Sequence, residues 1–355
     1  MHERFKKSKR GLRGGAALCL SLLCMFPVCT GNVKAAAAGT TLSSVQELIP
    51  VGHTIGIKLF SRGILVVNLS DGDTPAKSCG LAKGDVILKC DGNTVTSTEQ
   101  FQKLLQDSGG KAVTLQVRRG GSVRTLTATP DQNEAGKYAI GAWIRDSMAG
   151  IGTMTFYDPQ SGVFGALGHG ITDTDTALLM PFSAGSILPS AVKAVKKGEI
   201  GVPGELRGDF DLAMDTGRLY ANTEGGIFGT LEDLGFREHL GNAVPVAENS
   251  EVKPGKATIL ANVEGNEVKE YEVEITRLFE NSPDSRDLLL TVTDPQLLKI
   301  TGGIVQGMSG SPILQNGKLV GAVTHVLLND PTRGYGILIR NMLECADPQT
   351  VENVS

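Results

Sequence analysis

Residues 303–313 read GIVQGMSGSPI, and the fold turns on how Ser309 within them is read. A serine between glycines and closed by proline is a common turn. It is also a setting for a nucleophile, and two fold classes place such a serine differently. An α/β hydrolase needs G-x-S-x-G on a sharp turn from strand into helix. Here the fifth position is Ser311, and the following PILQNGK continues as a strand. The α/β reading fails, and Ser309 sits on a turn between strands.

The surroundings agree. From Tyr138 onward the chain repeats short β-forming runs such as GIGTMTFYD, GVFGALGHGI, KEYEVEITRLF and KLVGAVTHVLL, separated by Gly, Asn and Asp turns. Roughly 200 residues of this kind predict a barrel or paired barrels rather than an alternating βα sheet.

A serine nucleophile needs a base, a group that orients the base, and backbone donors for the oxyanion. The chain has five histidines. His2 lies in a basic head, His53 in the N-terminal half and His239 in the charged stretch GFREHLG. His169 stands between Gly168 and Gly170 after an apolar strand, where an exposed ring suits a base. His325 lies inside the apolar run GAVTHVLL and reads as a buried, hydrogen-bonded histidine. For the carboxylate, Asp173, Asp175, Asp209, Asp211 and Asp294 are all candidates. Asp294, in TVTDPQLLKIT, reads equally well as a helix cap with proline at the first helical position. One histidine with nearby acids is a poor metal site, so no metal or cofactor is expected.

Residues 50–130 form a separate unit. HTIGIKL and RGILVVNL are followed by a turn, then by TEQFQKLLQDS with Phe101, Leu104 and Leu105 at helical spacing. Two strands then meet across Gly120-Gly121, a hairpin signal. The order resembles a PDZ domain, on the strength of TIGI at 54–57 and CGLAKGDVIL at 79–88. The resemblance implies a loop in which the N–H groups of Ile55, Gly56 and Ile57 receive a chain-terminal carboxylate. An extended peptide would add alongside, with Phe101 as an apolar wall.

The first 38 residues carry a basic cluster of Arg4, Lys6, Lys7, Lys9, Arg10 and Arg13. Twenty uncharged residues (14–33) and then small residues follow it. This is the layout of a secretory signal, and the apolar block is also long enough for an anchor. The expected organisation is a signal or anchor at 1–38, a linker at 39–49, the PDZ unit at 50–130, a linker at 131–137 and a catalytic domain at 138–355. Without the first segment the chain keeps 27 basic and 37 acidic residues, a net charge of about −10. That balance argues against nucleic acid as a partner. Cys19, Cys24 and Cys29 fall in the apolar block. Cys79, Cys90 and Cys345 are dispersed and read as free thiols, although a Cys79–Cys90 bridge is conceivable.

GALGHGITDTDT, GIGTMTFYDP and GGIVQGMSGSPILQNGKLVGAVTHVLLNDPTRGYGI together resemble the SpoIVB peptidases, stage IV sporulation serine proteases of endospore-forming bacteria. The resemblance implies a mainly β chain, a PDZ domain followed by a chymotrypsin-like double β-barrel peptidase domain. It implies Ser309 as nucleophile, His169 as base, Asp294 as orienting acid, and the N–H groups of Gly307 and Ser309 as oxyanion hole. Met308 stands where chymotrypsin-like enzymes commonly have Asp, so activation by a buried new N-terminus is not expected. The family is exported from the forespore, cleaves a membrane-bound regulator of sigma-factor processing and cleaves itself near the N-terminus. The expected partners are therefore a protein substrate at a membrane surface and the chain's own N-terminal region. A general exported PDZ-containing quality-control protease and a catalytically dead PDZ adaptor are the alternatives. The PDZ-first order counts against the former, and the joint retention of serine, histidine and glycines against the latter.

Overall fold

The computed structural model describes residues 42–347 apart from 211–213, 280–281 and 283–284. The signal-like segment at 1–38 lies outside the described residues, and no described helix is long and apolar enough to cross a membrane. Along the chain run β1 (Thr54–Leu69), β2 (Val86–Cys90), α1 (Thr98–Asp107), β3 (Val113–Arg119) and β4 (Ser122–Ala128). Next come β5 (Ala142–Tyr157), β6 (Val163–Ala166), β7 (Phe182–Lys196), β8 (Glu205–Phe210), β9 (Gly217–Thr223) and β10 (Gly226–Leu231). The last third holds β11 (Gly255–Glu264), β12 (Glu267–Leu278), β13 (Leu288–Val292), α2 (Pro295–Thr301), β14 (Pro312–Gln315), β15 (Lys318–Leu327) and β16 (Asp330–Leu338). Shorter elements connect them.

The pairings define two rings. β1, β5, β6, β10, β9 and β7 pair in that order, and β7 pairs back to β1. β11, β12, β13, β16, β15 and β14 close a second barrel. Taken in chain order, the strands of both rings run first, second, third, sixth, fifth, fourth. One strand order used twice is the double β-barrel that the sequence predicts. Alternation fills each interior: Ile55, Ile57, Met154, Phe164 and Ile187 in the first barrel, Ile259, Val273, Leu290, Ile313 and Val323 in the second. Each such burial contributes about 1.5–3 kcal/mol.

The PDZ unit is inserted between the first and second strands of the first barrel. Strand β1 is 16 residues long and serves both bodies. Its first half lies between β7 and β5, while Ile64 and Leu65 pair with Ile87 and Val86 of β2. The unit has its own core, which includes Ile64, Val66, Ile87, Phe101, Leu105 and Leu115. Helix α1 starts where Ser97 accepts from the Gln100 N–H, and it buries Phe101 and Leu105, one turn apart. Gly120 and Gly121 both take positive φ in the β3–β4 hairpin, as its two-residue turn requires.

The boundaries differ from the sequence expectation. Residues 54–60, expected in the PDZ unit, are barrel strand, because β1 changes partners midway without breaking. Of the expected linker at 39–49, Ile49 pairs with Tyr157 of β5. The linker at 131–137 folds into a small hairpin in which Asp131 faces Ala139. Cys79, Cys90 and Cys345 are free, and the conceivable Cys79–Cys90 bridge is not formed.

The carboxylate loop expected at Ile55, Gly56 and Ile57 is corrected by the same topology. Those residues pair with Pro189, Leu188 and Ile187 on one edge and with Gly152, Ile151 and Gly150 on the other. With a strand on each side, their N–H groups are not offered to a chain terminus. Phe101 is also not a groove wall: it is 1% exposed, at the centre of the PDZ core.

Candidate active site

Ser309 lies on the turn entering β14, and the first barrel holds that turn from outside. Thr153 of β5 donates its N–H to the Ser309 carbonyl at 2.9 Å and its Oγ1–H to the Gly307 carbonyl at 2.7 Å. Inside the turn, the Met308 N–H reaches the Val305 carbonyl at 3.1 Å and the Ser311 N–H reaches the Met308 carbonyl at 2.9 Å. The Gly310 N–H reaches the Val323 carbonyl at 2.7 Å. Gly307 and Gly310 have φ of 99° and 98°, values that favour glycine. Among the described residues, the N–H groups of Gly307 and Ser309 have no acceptor within the chain. These are the two donors expected for the oxyanion. Met308 is fully buried in the second barrel's core, so it fills space where an acid would be needed to receive a new N-terminus.

His169 follows β6 through Leu167 and Gly168, whose φ values are 71° and 69°. Two consecutive left-handed residues turn the chain sharply, and for leucine the conformation is strained by about 1–2 kcal/mol. The ring is half-buried and lines a cavity of about 440 Å³ together with Ser309. The cavity also borders Met148–Ile151 of β5, the segment 304–307 and Thr324–Val326 of β15. The His169 Nδ1 lies 2.9 Å from the Gly170 carbonyl oxygen. A carbonyl only accepts, so Nδ1 carries the proton and Nε2 is left as the basic nitrogen. Burial lowers the imidazole pKa from 6.5, and the Gly170 carbonyl offsets part of this. His169 is therefore neutral near pH 7.

The Ser309 hydroxyl donates to the Thr324 carbonyl at 2.7 Å. Its proton rests on β15, and delivery to His169 requires rotation of the serine side chain. Such long or misdirected contacts are common before substrate binds.

Asp294 is not brought to His169. It is the N-cap of α2: Oδ1 accepts from the Gln296 and Leu297 N–H groups, both at 2.8 Å, and Oδ2 from the Glu272 N–H at 3.4 Å. The group that orients the imidazole here is the Gly170 carbonyl. Asp173 is also occupied elsewhere. Its buried carboxylate accepts from Arg145 of β5 and from the Thr176 N–H and hydroxyl, and Arg145 reaches Asp175 at 3.1 Å. The loop that follows His169 is thereby tied to β5. His325 is not the buried core residue expected. It is half-buried on the cavity wall, its ring 4.9 Å from that of His169. Among the described residues no group of three His, Cys, Asp or Glu side chains could hold a metal ion.

The model of the family described as SpoIVB peptidase S55 matches residues 136–343, and a PDZ domain model matches residues 39–129. The first match spans more than half of the chain. The chain belongs to the SpoIVB peptidase S55 family. Among curated proteins, this S55 chain is 36% identical over 89 residues to a DegP-like periplasmic serine endoprotease of Chlamydia trachomatis, covering 25% of this chain and 18% of that protein. It is 36% identical over 69 residues to the regulator of sigma-E protease RseP of Salmonella typhimurium, covering 19% and 15%. The chain thus spans only about a fifth of the length of the curated relatives it matches. Among solved structures, the active form of the Rv3671c protease of M. tuberculosis aligns at 14% identity with a TM-score of 0.30, over 56% of this chain and 74% of that one.

Proposed function

We propose that the chain is an exported serine endopeptidase in which Ser309 attacks the peptide carbonyl and His169 serves as general base and acid. The observation that carries this reading is the shared cavity. It holds a serine with two unengaged N–H donors and a neutral histidine whose Nε2 is free to accept a proton. The Ser309 hydroxyl leaves Thr324 and gives its proton to Nε2. The tetrahedral oxyanion is received by the Gly307 and Ser309 N–H groups, and the proton is then returned to the leaving amine. The Gly170 carbonyl orients the imidazolium without neutralising it, as a carboxylate would. Turnover is therefore expected to depend on oxyanion stabilisation more than on the base.

The family name supports a place in sporulation signalling, with cleavage of a membrane-bound regulator and of the chain's own N-terminal region. The basic and apolar head supports export. The PDZ unit supports recognition of peptide segments of the substrate. A biotinylated organophosphonate tests the chemistry: intact mass and peptide mapping should find one adduct, on Ser309, and none in Ser309→Ala. Absence of any adduct on folded protein would leave the PDZ adaptor as the better reading.

A further inference from the structure

The connection between β7 and β8 ends in a bare aliphatic tip. Glu199 and Val202 exchange both backbone hydrogen bonds, at 3.0 and 2.9 Å, which leaves Ile200 and Gly201 as a two-residue turn. Gly201 takes a φ of 80°, a conformation that glycine adopts at least cost. Ile200 is 79% exposed, more than any other large apolar side chain among the described residues. Tight turns favour Gly, Pro, Asn, Asp and Ser, so the turn itself does not ask for isoleucine. A second turn, between β15 and β16, lies against the first, with the Gly201 N–H donating to the Leu328 carbonyl at 2.8 Å. Leu328 is 54% exposed and Val202 44%, so three uncovered aliphatic side chains share one tip.

The charge around this tip is opposite in sign to that of the whole chain. Lys196 and Lys197 precede the turn, and Lys299 lies in α2, whose last residue, Thr301, receives the Gly198 N–H at 2.9 Å. All three lysines are exposed, and among the described residues none of them is in an ion pair. Of the neighbouring acids, Glu205 is held by Arg207 at 3.2 Å, and Asp330 accepts from the Thr332 N–H and hydroxyl, which leaves Glu199. A chain of net charge −4 thus gathers positive charge around its most exposed apolar spot.

We propose that this tip is a membrane-docking surface. Ile200, Val202 and Leu328 enter the interface of an anionic bilayer, while Lys196, Lys197 and Lys299 meet the lipid phosphates. Aliphatic side chains rimmed by lysine bind such a surface through burial and charge together. Protein interfaces instead deplete lysine and favour aromatic residues; the segments 196–202 and 327–330 contain no aromatic residue. Docking also places the catalytic cavity. The Leu206 N–H donates to the Gln306 carbonyl at 2.8 Å and the Gln306 N–H to the Gly204 carbonyl at 2.9 Å. The chain leaving the tip therefore runs beside segment 304–307, a wall of that cavity. Glu205, which faces Gln306, is at most about 17 Å of extended chain from Ile200. The inference goes beyond the reading of Ser309 as nucleophile and does not depend on it.

The test uses the full chain and vesicles of phosphatidylglycerol and phosphatidylcholine in equal parts, with brominated acyl chains to quench indole fluorescence. The chain has one tryptophan, Trp143, so Trp143→Phe with Ile200→Trp moves the sole indole to the tip. Its emission should shift to the blue and fall about twofold on these vesicles at about 0.1 M salt, where surface charges act over about 10 Å. On phosphatidylcholine alone it should change little, and attachment through residues 1–38 alone leaves it unchanged. Adding Lys196→Glu and Lys197→Glu should raise the lipid concentration needed by at least about tenfold. Should the variant fail to fold, hydrogen exchange of the wild type reads the same surface. Peptides covering 197–203 and 327–330 should exchange at least about threefold more slowly with the anionic vesicles. An unquenched indole in folded protein, equal quenching on neutral lipid, or unprotected tip peptides overturns the docking surface. A blue shift without lipid that grows with protein concentration overturns it in favour of a second copy. Phosphonate labelling of Ser309 should proceed at the wild-type rate in Trp143→Phe with Ile200→Trp; failure to label the wild type would defeat the nucleophile reading and leave the tip untouched.

Discussion

The hydroxyl of Thr153 donates to the carbonyl oxygen of Gly307 at 2.7 Å, joining residues 154 apart in sequence. One residue belongs to the first barrel, the other to the turn that carries Ser309 in the second. Because the Gly307 carbonyl is held, the peptide that follows cannot flip, and the Gly307 and Ser309 N–H groups keep their aim. Thr153 is 1% exposed, so no water replaces its hydroxyl easily. Thr153→Val keeps the shape and leaves the carbonyl unsatisfied. The expected cost is about 1–3 kcal/mol, part of it lost from kcat as the oxyanion donors loosen. Thr153→Ser should restore most of both. Denaturant melts and phosphonate labelling rates measure the two effects separately. A Val variant with wild-type labelling would show that the turn holds itself.

Gly310 makes the complementary contact. A Cβ there would overlap the Thr153 carbonyl oxygen and lie 2.6 Å from the Leu167 nitrogen, at a φ of 98° that already disfavours a side chain. The serine turn, β5 and the turn before His169 meet at this one point, with no room for a methyl group. Gly310→Ala should therefore separate Ser309 from His169, abolishing labelling and lowering the melting temperature. Labelling at the wild-type rate would mean that the barrels can part without loss of the site.

Much of this was legible in the sequence, for identifiable reasons. The β-rich body, the α1 helix and the Gly120-Gly121 hairpin follow from local periodicity and turn chemistry. Ser309 and His169 announce themselves through flanking glycines. The TIGI stretch misleads because alternation reports that a strand exists, not which strand lies beside it. The first half of β1 looks the same next to a peptide as next to β7. The Gly170 carbonyl leaves no trace in a side-chain alphabet. The Asp-Pro-Gln-Leu-Leu cap signal at Asp294 was fully written, and the geometry follows it.

That cap yields a prediction with two arms. Asn caps helices as well as Asp does, so Asp294→Asn should keep both stability and turnover close to wild type. Asp294→Ala should cost about 0.5–2 kcal/mol of stability, with turnover on folded protein little changed. A loss of a hundredfold or more in kcat for Asp294→Asn at unchanged stability would restore the residue as a catalytic acid. Asp173→Asn is expected to behave differently. It removes the buried charge facing Arg145, at a cost of about 3 kcal/mol, and frees the loop after His169. Labelling should slow along with the fall in melting temperature.

The acid limb of activity should report His169. Burial lowers its pKa from 6.5, so the neutral base persists to more acidic pH than a solvated histidine would allow. The pH profile of kcat/KM should rise through a midpoint below 6.5 and be flat by neutrality. Stability has the same sign. Between the folded pKa and 6.5 the unfolded chain binds the extra proton, so the contribution is complete above pH 6.5 and is lost as pH falls toward the folded value. His169→Gln removes this dependence while keeping a hydrogen-bonding side chain beside the Gly170 carbonyl. Subtracting its stability-versus-pH curve from that of the wild type should isolate a slope confined to the region below pH 6.5. A midpoint above 6.5 in both the kinetic and the stability curves would mean that a carboxylate, and not the Gly170 carbonyl, faces the imidazolium in the working enzyme.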